Sequence, residues 1–171
     1  MRVSPALASD LPDIVATLAA NHADPSLFQQ PVWQVARDLG EFQVAREGER
    51  TLGCIQVHRH PGDSVEILAV AVRPEAHGAG VGTRLMAAAV ARARAQGPAL
   101  IWLGTAKPGY FARHGFRQMS RWRLPLRVLA GKLIRIAQQH PARWWPALVG
   151  TQHVMMRLPG PTSPVRRAPR Y

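Results

Sequence analysis

The stretch of sequence that decides the fold is Val70-Ala-Val-Arg-Pro-Glu-Ala-His-Gly-Ala-Gly-Val-Gly-Thr-Arg-Leu-Met86. Its pattern predicts a buried strand, a short turn, a glycine-dense loop and then the start of a helix. Such a loop leaves backbone N–H groups without intrahelical partners at the helix N-terminus, where the helix dipole also attracts negative charge. The stretch therefore indicates an anion site, with pyrophosphate as the first candidate ligand.

The loop does not match the two commonest nucleotide-binding patterns. A P-loop reads G-x-x-x-x-G-K-S/T, whereas here Arg84 follows Thr83 and no Lys is in place. A dinucleotide-binding loop reads G-x-G-x-x-G after the first strand of its fold, whereas Gly78, Gly80 and Gly82 alternate in the middle of the chain. Taken alone, the loop is also compatible with a tight strand-to-helix turn that holds no ligand.

A third pattern, Q/R-x-x-G-x-G/A after a strand that ends in V-x-P, fits the loop at its glycines. His77-Gly-Ala-Gly80-Val-Gly82 departs from it at the first position. The loop thus resembles the pyrophosphate loop of the GNAT acetyltransferase superfamily, which holds acetyl-coenzyme A (acetyl-CoA). Two further segments are similar to the family's x-G-x-hydrophobic strand and its Y-x-x-x-G-F segment, namely Leu52-Gly-Cys-Ile55 and Pro108-Gly-Tyr-Phe-Ala-Arg-His-Gly-Phe116. The resemblance covers most of Val3 to Phe116.

Within this superfamily the chain resembles the acetyltransferase domains of N-acetylglutamate synthases. The similar segments are Glu66-Ile-Leu-Ala-Val-Ala-Val72, Tyr110-Phe-Ala-Arg-His-Gly-Phe116 and Leu124-Pro-Leu-Arg-Val128. The chain departs from those domains where Leu68 and Ala69 replace a polar Arg-Ser pair, and it lacks the cysteines that often follow the last segment. The resemblance implies an amino-acid N-acetyltransferase lineage, and the departures leave the acceptor open.

Size and composition point to a cytoplasmic protein without a metal site. The 171 residues suffice for one domain with its own core. No apolar run of about 18 residues would span a membrane, and Asp10 and Asp13 interrupt the segment where a secretion signal needs an apolar stretch. The single cysteine, Cys54, excludes an intrachain disulfide and a cysteine metal cluster.

The net charge of +12 is unevenly distributed along the chain. All ten acidic residues lie at or before Glu75, and residues 76–171 contain sixteen Lys or Arg and no acid. A region with this charge attracts polyanions such as coenzyme A, nucleic acid or an anionic membrane surface. Coenzyme A needs only a few cations, so cofactor binding leaves most of the excess unexplained.

The order of predicted elements indicates the fold class. Early helices precede an antiparallel hairpin pair, then strand, loop, helix and strand, and finally a further helix and strand. Ser64–Val72 is expected to be a central strand, and Thr83–Gln96 a helix that Gly97-Pro98 ends. This order implies an α/β (α+β) fold with a central mixed, mostly antiparallel sheet flanked by helices, which is also the order of the GNAT fold.

We expect one acetyltransferase domain over residues 1–158. It would contain a helical insertion at about 119–150, with a basic amphipathic helix at Leu126–Gln139 packed over the acceptor side. Trp144-Trp145-Pro146 would line the acceptor pocket or an oligomer contact, which leaves a homodimer open. Residues 159–171 contain four prolines and three arginines and are expected to form a disordered tail.

Acetyl transfer to an amine needs a base, because the amine must lose a proton before it attacks the thioester. Glu66 is the first choice, since its strand leads into the loop and it is one of only two acids after Asp63. The alternative for Glu66 is a strand-edge carboxylate in water or paired with Arg. The other acid, Glu75, is expected to cap or pair. His58 and His60 are reserve bases or ordinary structural histidines.

The leaving thiolate needs a proton, which in most GNAT relatives comes from the Tyr of the Y-x-x-x-G-F segment. Here the matching position is Phe111, which has no proton to donate, and Tyr110 lies just before it. Neighbouring side chains on a helix diverge by about 100°, so Tyr110 does not simply replace Phe111. Either Tyr110 reaches the thiolate through a register change, or the thiolate leaves unassisted and Tyr110 packs or contacts the cofactor.

The resemblance also implies which residues bind acetyl-CoA. A backbone N–H at about Val70, Ala71 or Val72, where this strand parts from the next, would stabilise the thioester oxyanion. The pyrophosphate would receive the N–H groups of the loop, with added charge from its His or its Arg. These loop residues are His77, Gly78, Ala79, Gly80, Val81, Gly82, Thr83 and Arg84.

Three functions remain open from the sequence. The first is an acetyl-CoA-dependent N-acetyltransferase that acts directly, in a ternary complex, on the primary amine of a small molecule such as an amino acid. Cys54 lies in a predicted strand, which makes a covalent intermediate a poor alternative. The second is an acetyltransferase that acts on tRNA or protein through the basic C-terminal half. The third is a regulatory module that binds acyl-CoA and has lost catalysis, because Phe111 replaces the proton-donating Tyr.

Overall fold

The computed structural model describes residues 1–21, 30–61, 63–120 and 154–160, together with Leu124 and Val128. The expected helix Leu126–Gln139, the Trp144-Trp145 pair, most of the expected insertion and the tail from residue 161 lie outside the described residues. The elements, in chain order, are β1 Arg2–Pro5, α1 Leu11–Ala20, α2 Val32–Arg37, β2 Phe42–Glu47, β3 Arg50–His60, β4 Ser64–Val72, α3 Val81–Ala95, β5 Leu100–Thr105, α4 Pro108–Ala112, β6 Arg117–Gln118 and β7 Val154–Leu158.

The strands form one sheet of seven in the order β1-β2-β3-β4-β5-β7-β6. All neighbouring strands run antiparallel except β4 and β5, which are parallel. This confirms the mixed, mostly antiparallel sheet with flanking helices. It also confirms the central position of β4, whose nearly continuous apolar sequence suits burial on both faces.

The two faces of the sheet carry different packing. On one face, α3 packs on β3 and β4, and its buried Leu85 and Met86 join a core that includes Ile55 and Ile67. On the other face, α1 and α2 cover the first strands through residues that include Ile14 and Val35. Leu124 and Val128 cover the fully buried Trp102 of β5. Between these two apolar clusters, the second face carries a run of polar side chains.

Helix α3 begins at Val81, two residues before the expected start at Thr83. Gly80 precedes it with a φ of 75°, a left-handed conformation that glycine adopts without steric cost. The backbone then turns directly into the helix, so Gly82 belongs to the first helical turn rather than to the loop. This places the last of the three alternating glycines where the helix packs against other residues.

No helix among the described residues has the length and apolar character needed to cross a membrane. Over the same part of the chain, no group of three or more His, Cys, Asp or Glu side chains is arranged to hold a metal ion.

Candidate active site

The loop between β4 and α3 presents backbone N–H groups that the fold does not use. His77 and Ala79 donate theirs to the carbonyls of Pro74 and Ala76, at 3.2 and 3.4 Å. The other N–H groups of the loop and first helical turn find no acceptor within the part of the chain that the structure describes, namely those of Gly78, Gly80, Val81, Gly82 and Thr83. Together with the N-terminus of a 15-residue helix, they form a site that suits an anion.

The His77 side chain is directed back toward the strand that precedes the loop. Its Nε2 lies 3.0 Å from the carbonyl oxygen of Val72, which also accepts a hydrogen bond from Asn21 Nδ2 at 3.0 Å. The end of β4 is thus tied both to the loop and to the C-terminal end of α1. Arg84, whose side chain is exposed, is left as the cation of the first helical turn that can face an incoming anion.

A gap opens between β4 and β5 beside this loop. The strands pair at Ser64–Leu100, Val65–Ile101 and Glu66–Trp102, and beyond Glu66 they share no pair among the described residues. The separation thus begins at Glu66, earlier than the Val70–Val72 region expected from sequence. A β-bulge accounts for part of it, because two residues of β4, at 69 and 70, oppose one residue of β3 and bend the strand.

The bulge includes Ala69, whose φ of 52° is unusual for a residue with a side chain. Ala69 is buried, and its carbonyl lies 3.9 Å from the sulfur of Cys54 on β3. A non-glycine residue in this conformation is strained, and such strain persists where the surrounding packing determines the backbone. The packing around Ala69 therefore fixes the bulge at the edge of the gap.

Glu66 occupies the last paired position, at the point where the gap begins. Its Oε2 lies 2.8 Å from Nε2 of His60, and the two side chains are 8% and 1% exposed. Glu66 is therefore neither a solvated edge carboxylate nor a partner of Arg in this contact. His60, which the sequence offers as a reserve base, is in direct contact with the first-choice base.

A second histidine–carboxylate pair continues from the first toward the surface. His58 Nδ1 lies 2.8 Å from Oε1 and 3.0 Å from Oε2 of Glu41, which precedes β2. Gln56 Nε2 donates to Glu41 Oε2 at 2.6 Å. No sequence pattern points to Glu41 or Gln56, because Glu41 lies in a short 3-10 turn, Leu39–Glu41, that only the tertiary fold brings to β3.

Tyr110 and Phe111 point in different directions from the short helix α4. Phe111 is buried in the main core, with its ring centroid 6.4 Å from that of Phe116. The Tyr110 hydroxyl instead lies over the first turn of α3, only 2.6 Å from where a Cβ would stand on Gly82. Tyr110 is thus the residue of the pair that faces the loop.

The surroundings of Tyr110 keep its hydroxyl protonated. Partial burial raises the pKa of Tyr110 above its usual value, and the nearby Arg113, whose guanidinium lies 5.6 Å from the ring centroid, offsets part of that rise. The ring of His114 lies 5.0 Å away, and burial together with Arg113 lowers the pKa of that imidazole. At neutral pH Tyr110 is therefore a hydrogen-bond donor beside an uncharged histidine.

Two other residues considered from the sequence lie apart from this chemistry. Cys54 is fully buried, and burial raises the pKa of its thiol to about 12, which is the opposite of what a reactive cysteine needs. Glu75 pairs with Arg50 at 2.8 Å on the surface, in agreement with the expected pairing role.

Comparison with known proteins assigns the region that carries these residues. Residues 38–118 match the family model described as the acetyltransferase (GNAT) domain. By this match, residues 38–118 form a GNAT acetyltransferase domain. The matched range contains the loop, the gap, Glu66, His60 and Tyr110, so every feature of the candidate site lies within the GNAT domain.

A curated acetyltransferase is similar to a larger part of the chain. The amino-acid acetyltransferase of Ralstonia nicotianae is 29% identical over an alignment of 138 positions, and the match covers 72% of this chain and 31% of the relative. The chain thus spans about a third of the length of that curated relative.

Two solved structures share the fold. A Mycobacterium tuberculosis protein solved in complex with CoA is 23% identical, with a TM-score of 0.75 over 92% of this chain and 98% of that chain. The N-acetylglutamate synthase of Neisseria gonorrhoeae, complexed with coenzyme A and N-acetyl-glutamate, is 21% identical, with a TM-score of 0.73 over 93% of this chain and 35% of that chain.

Proposed function

We propose that this chain is an acetyl-CoA-dependent N-acetyltransferase that transfers an acetyl group directly to the primary amine of a small molecule, with an amino acid as the favoured acceptor. The observation that carries the proposal is the position of Glu66, a buried carboxylate at the point where β4 and β5 separate, beside a loop with uncommitted N–H groups. The proposed domain extends over residues 1–158.

The donor side of the proposed site rests on the fit of the loop to a pyrophosphate. The uncommitted N–H groups of Gly78 and of residues 80–83, the helix N-terminus and the exposed Arg84 offer hydrogen bonds and positive charge together. Acetyl-CoA would supply the activated acetyl thioester. Beyond Glu66, on the part of β4 that continues into the loop, β4 and β5 share no pair among the described residues.

Three groups of the chain would carry the transfer. Glu66 would accept the proton of the acceptor amine, which frees the nitrogen lone pair to attack the thioester carbon. Backbone N–H groups of β4, at about Val70 to Val72, would stabilise the negative charge that develops on the thioester oxygen. Tyr110 would give its proton to the leaving sulfur.

The proposed class of acceptor rests on the curated relative and on the lack of polar side chains at two positions of β4. The curated relative is named an amino-acid acetyltransferase, which favours an amino acid. At the two positions where N-acetylglutamate synthases carry Arg and Ser, this chain has Leu68 and the strained Ala69. Those two residues cannot bind an acceptor carboxylate through their side chains, so we propose an acceptor other than glutamate.

A thermal-shift titration with acetyl-CoA tests the donor site, and release of free thiol with a panel of amines tests the transfer. We expect Tm to rise with acetyl-CoA and thiol release to depend on both the amine and Glu66. Glu66→Gln should lower kcat at least about a hundredfold, because a general base contributes this much. Glu75→Gln, the same change on an exposed carboxylate, is the matched control and should leave the rate unchanged.

The basic half of the chain supports a second candidate, an acetyltransferase that acts on protein or tRNA. Residues 76–171 hold sixteen Lys or Arg and no acid, which is more charge than coenzyme A requires. Salt-sensitive RNA binding without turnover of any small amine would favour this candidate. Acetyl-CoA binding without transfer to any acceptor would instead indicate a module that binds the cofactor and has lost catalysis.

A further inference from the structure

His60 is a buried ionisable side chain in direct contact with the proposed base, Glu66. It is 1% exposed, and its Nε2 lies 2.8 Å from Glu66 Oε2. The two residues are diagonal neighbours on antiparallel strands, because His60 is paired with Ser64 and Glu66 with His58. Long side chains reach across this diagonal, which places the imidazole beside the carboxylate without distortion of the sheet.

The His60 ring is held by its neighbours as well as by Glu66. The ring of His58 meets it edge-on at a centroid distance of 4.5 Å, and the ring of Trp102 lies 5.5 Å away at a tilt of 31°. His58, Glu66 and Trp102 occupy one row across β3, β4 and β5, since each is the paired neighbour of the next. His60 therefore packs over a row whose middle member is the base.

His58, which supports His60, is itself fixed from the surface side. Both oxygens of Glu41 lie within 3.0 Å of His58 Nδ1, and Gln56 donates to the same carboxylate. Gln56 in turn is bonded to Gln30, whose Nε2 lies 2.7 Å from Gln56 Oε1. The side chains from Glu66 to Glu41 thus form a chain of contacts in which each member limits the rotation of the next.

The hydrogen-bonding roles follow from the chemistry of the two groups. An ionised carboxylate only accepts hydrogen bonds, so His60 must carry its proton on Nε2 when Glu66 is charged and ready to act as a base. We propose that His60 is the positioning residue for Glu66: its Nε2–H donates to Oε2 and fixes the carboxylate in the orientation that receives the amine proton. This inference rests on the proposed function, because it assigns a role within that reaction.

Two polar substitutions of His60 separate positioning from simple packing. A Gln side chain carries an amide N–H at about the reach of Nε2, whereas Asn carries one nearer to the position of Nδ1. We expect His60→Gln to keep kcat within about threefold of the wild type and His60→Asn to lower it tenfold to about a hundredfold, since small misplacements of a catalytic group have effects of this size. KM for acetyl-CoA should stay unchanged in both.

Equal impairment of the Gln and Asn variants, both folded as judged by circular dichroism and Tm, would overturn the inference. So would an Asn variant with the wild-type kcat. If His60→Asn fails to fold, His60→Gln still decides, because loss of kcat in that variant with an intact fold contradicts the proposal.

Nitrogen-15 NMR of the imidazole gives a readout that does not depend on turnover. We expect the signal that disappears in His60→Gln to show a protonated Nε2. A non-protonated Nε2 at neutral pH would overturn the inference whatever the kinetics show. A wild-type protein that binds acetyl-CoA but releases no thiol with any amine would contradict the proposed function instead, and the NMR result would then decide alone whether His60 donates to Glu66.

Discussion

The Tyr110 hydroxyl stands 2.6 Å from the position that a Cβ would take on Gly82, so a side chain in the first turn of α3 would require Tyr110 on α4 to move. The backbone of Gly82 is helical, and its φ is not in the left-handed region. Its requirement for glycine is therefore steric and comes from Tyr110, not from the conformation of the loop.

Gly82→Ala should displace the Tyr110 hydroxyl and lower stability by about 1–2 kcal/mol, in the range found for overpacked sites. Adding Tyr110→Phe should restore most of this loss, because the next atom of the ring, Cζ, lies 3.7 Å from the same Cβ position. Chemical denaturation of the two single variants and the double variant measures the coupling. Gly40→Ala, where an added Cβ would meet nothing within 4 Å, is the control. Strict additivity of the two changes would contradict the contact.

Tyr110→Phe tests the proposed acid without removal of the ring. We expect kcat to fall about tenfold to a hundredfold, at the lower end of what an acid contributes, and KM for acetyl-CoA to change little. Burial raises the pKa of Tyr110, so the wild-type rate should decline only at alkaline pH above the ordinary tyrosine value, and the variant should lack that decline. Tyr171→Phe, at the other tyrosine of the chain, should match the wild type. A full wild-type rate in Tyr110→Phe would mean that the thiolate leaves unassisted.

Cys54 should be unreactive in the folded protein. Its burial raises the thiol pKa to about 12, so a thiol reagent at pH 8 should label it only when denaturant unfolds the chain. The same shift links stability to pH. The folded pKa of the thiol lies above the unfolded value of 9. The contribution of Cys54 to the free energy of unfolding is therefore complete below pH 9 and falls by about 1.4 kcal/mol for each pH unit up to 12.

Cys54→Ala is the matched variant for this measurement. Its unfolding free energy should lose the alkaline slope that the thiol contributes, whatever its stability at neutral pH. Rapid labelling of native Cys54 would show that the strand opens far more easily than its burial implies.

Asp10 and Arg46 form a pair that joins the turn before α1 to β2. Burial acts to raise the pKa of Asp10, but hydrogen bonds from Arg46 and from the Leu7 N–H outweigh it and hold the pKa below its usual value. Asp10→Asn should therefore cost about 2 kcal/mol at neutral pH, as for hydrogen bonds to charged groups. Since the folded pKa is lowered, the difference should be complete above pH 4 and disappear as pH falls through the folded value.

Thermal unfolding at pH 7 and pH 3 measures this contribution. Asp13→Asn is the control, because Asp13 pairs with Arg73 at 2.8 Å while its own side chain is 43% exposed. An equal loss of Tm in both variants would mean that the Asp10 pair has no special weight.

The sequence predicts the helices and strands of the site better than the contacts between their side chains. The alternation of His58 and His60, with a turn after His60, places both histidines on one face and opposite Glu66 once the hairpin register is known. The contact of Glu41 with His58 cannot be predicted from the sequence, because it depends on a turn 17 residues away along the chain. The sequence predicts a late start of α3, at Thr83, because the alternating glycines make Gly82 resemble part of the loop, whereas its helical conformation depends on Gly80 and on packing.

The separation of β4 and β5 could not be located from the sequence either. Parallel partners are distant along the chain, and nothing in residues Glu66 or Trp102 shows where their pairing ends. The bulge at Ala69 gives no composition signal, since the residue in the left-handed conformation is not glycine. The position of Phe111 in the core was likewise decided by the three-dimensional packing of α4, which the Y-x-x-x-G-F pattern does not specify.

The short pairing of β4 with β5 divides the sheet into a four-stranded and a three-stranded half, which pair among the described residues only along Ser64–Glu66. A molecule bound between β4 and β5 beyond Glu66 would contact both halves where their backbones are not paired. Its binding would therefore stabilise the association of the two halves. We expect a bound ligand to slow amide exchange in β5 and β7 as well as in the strands nearer the loop.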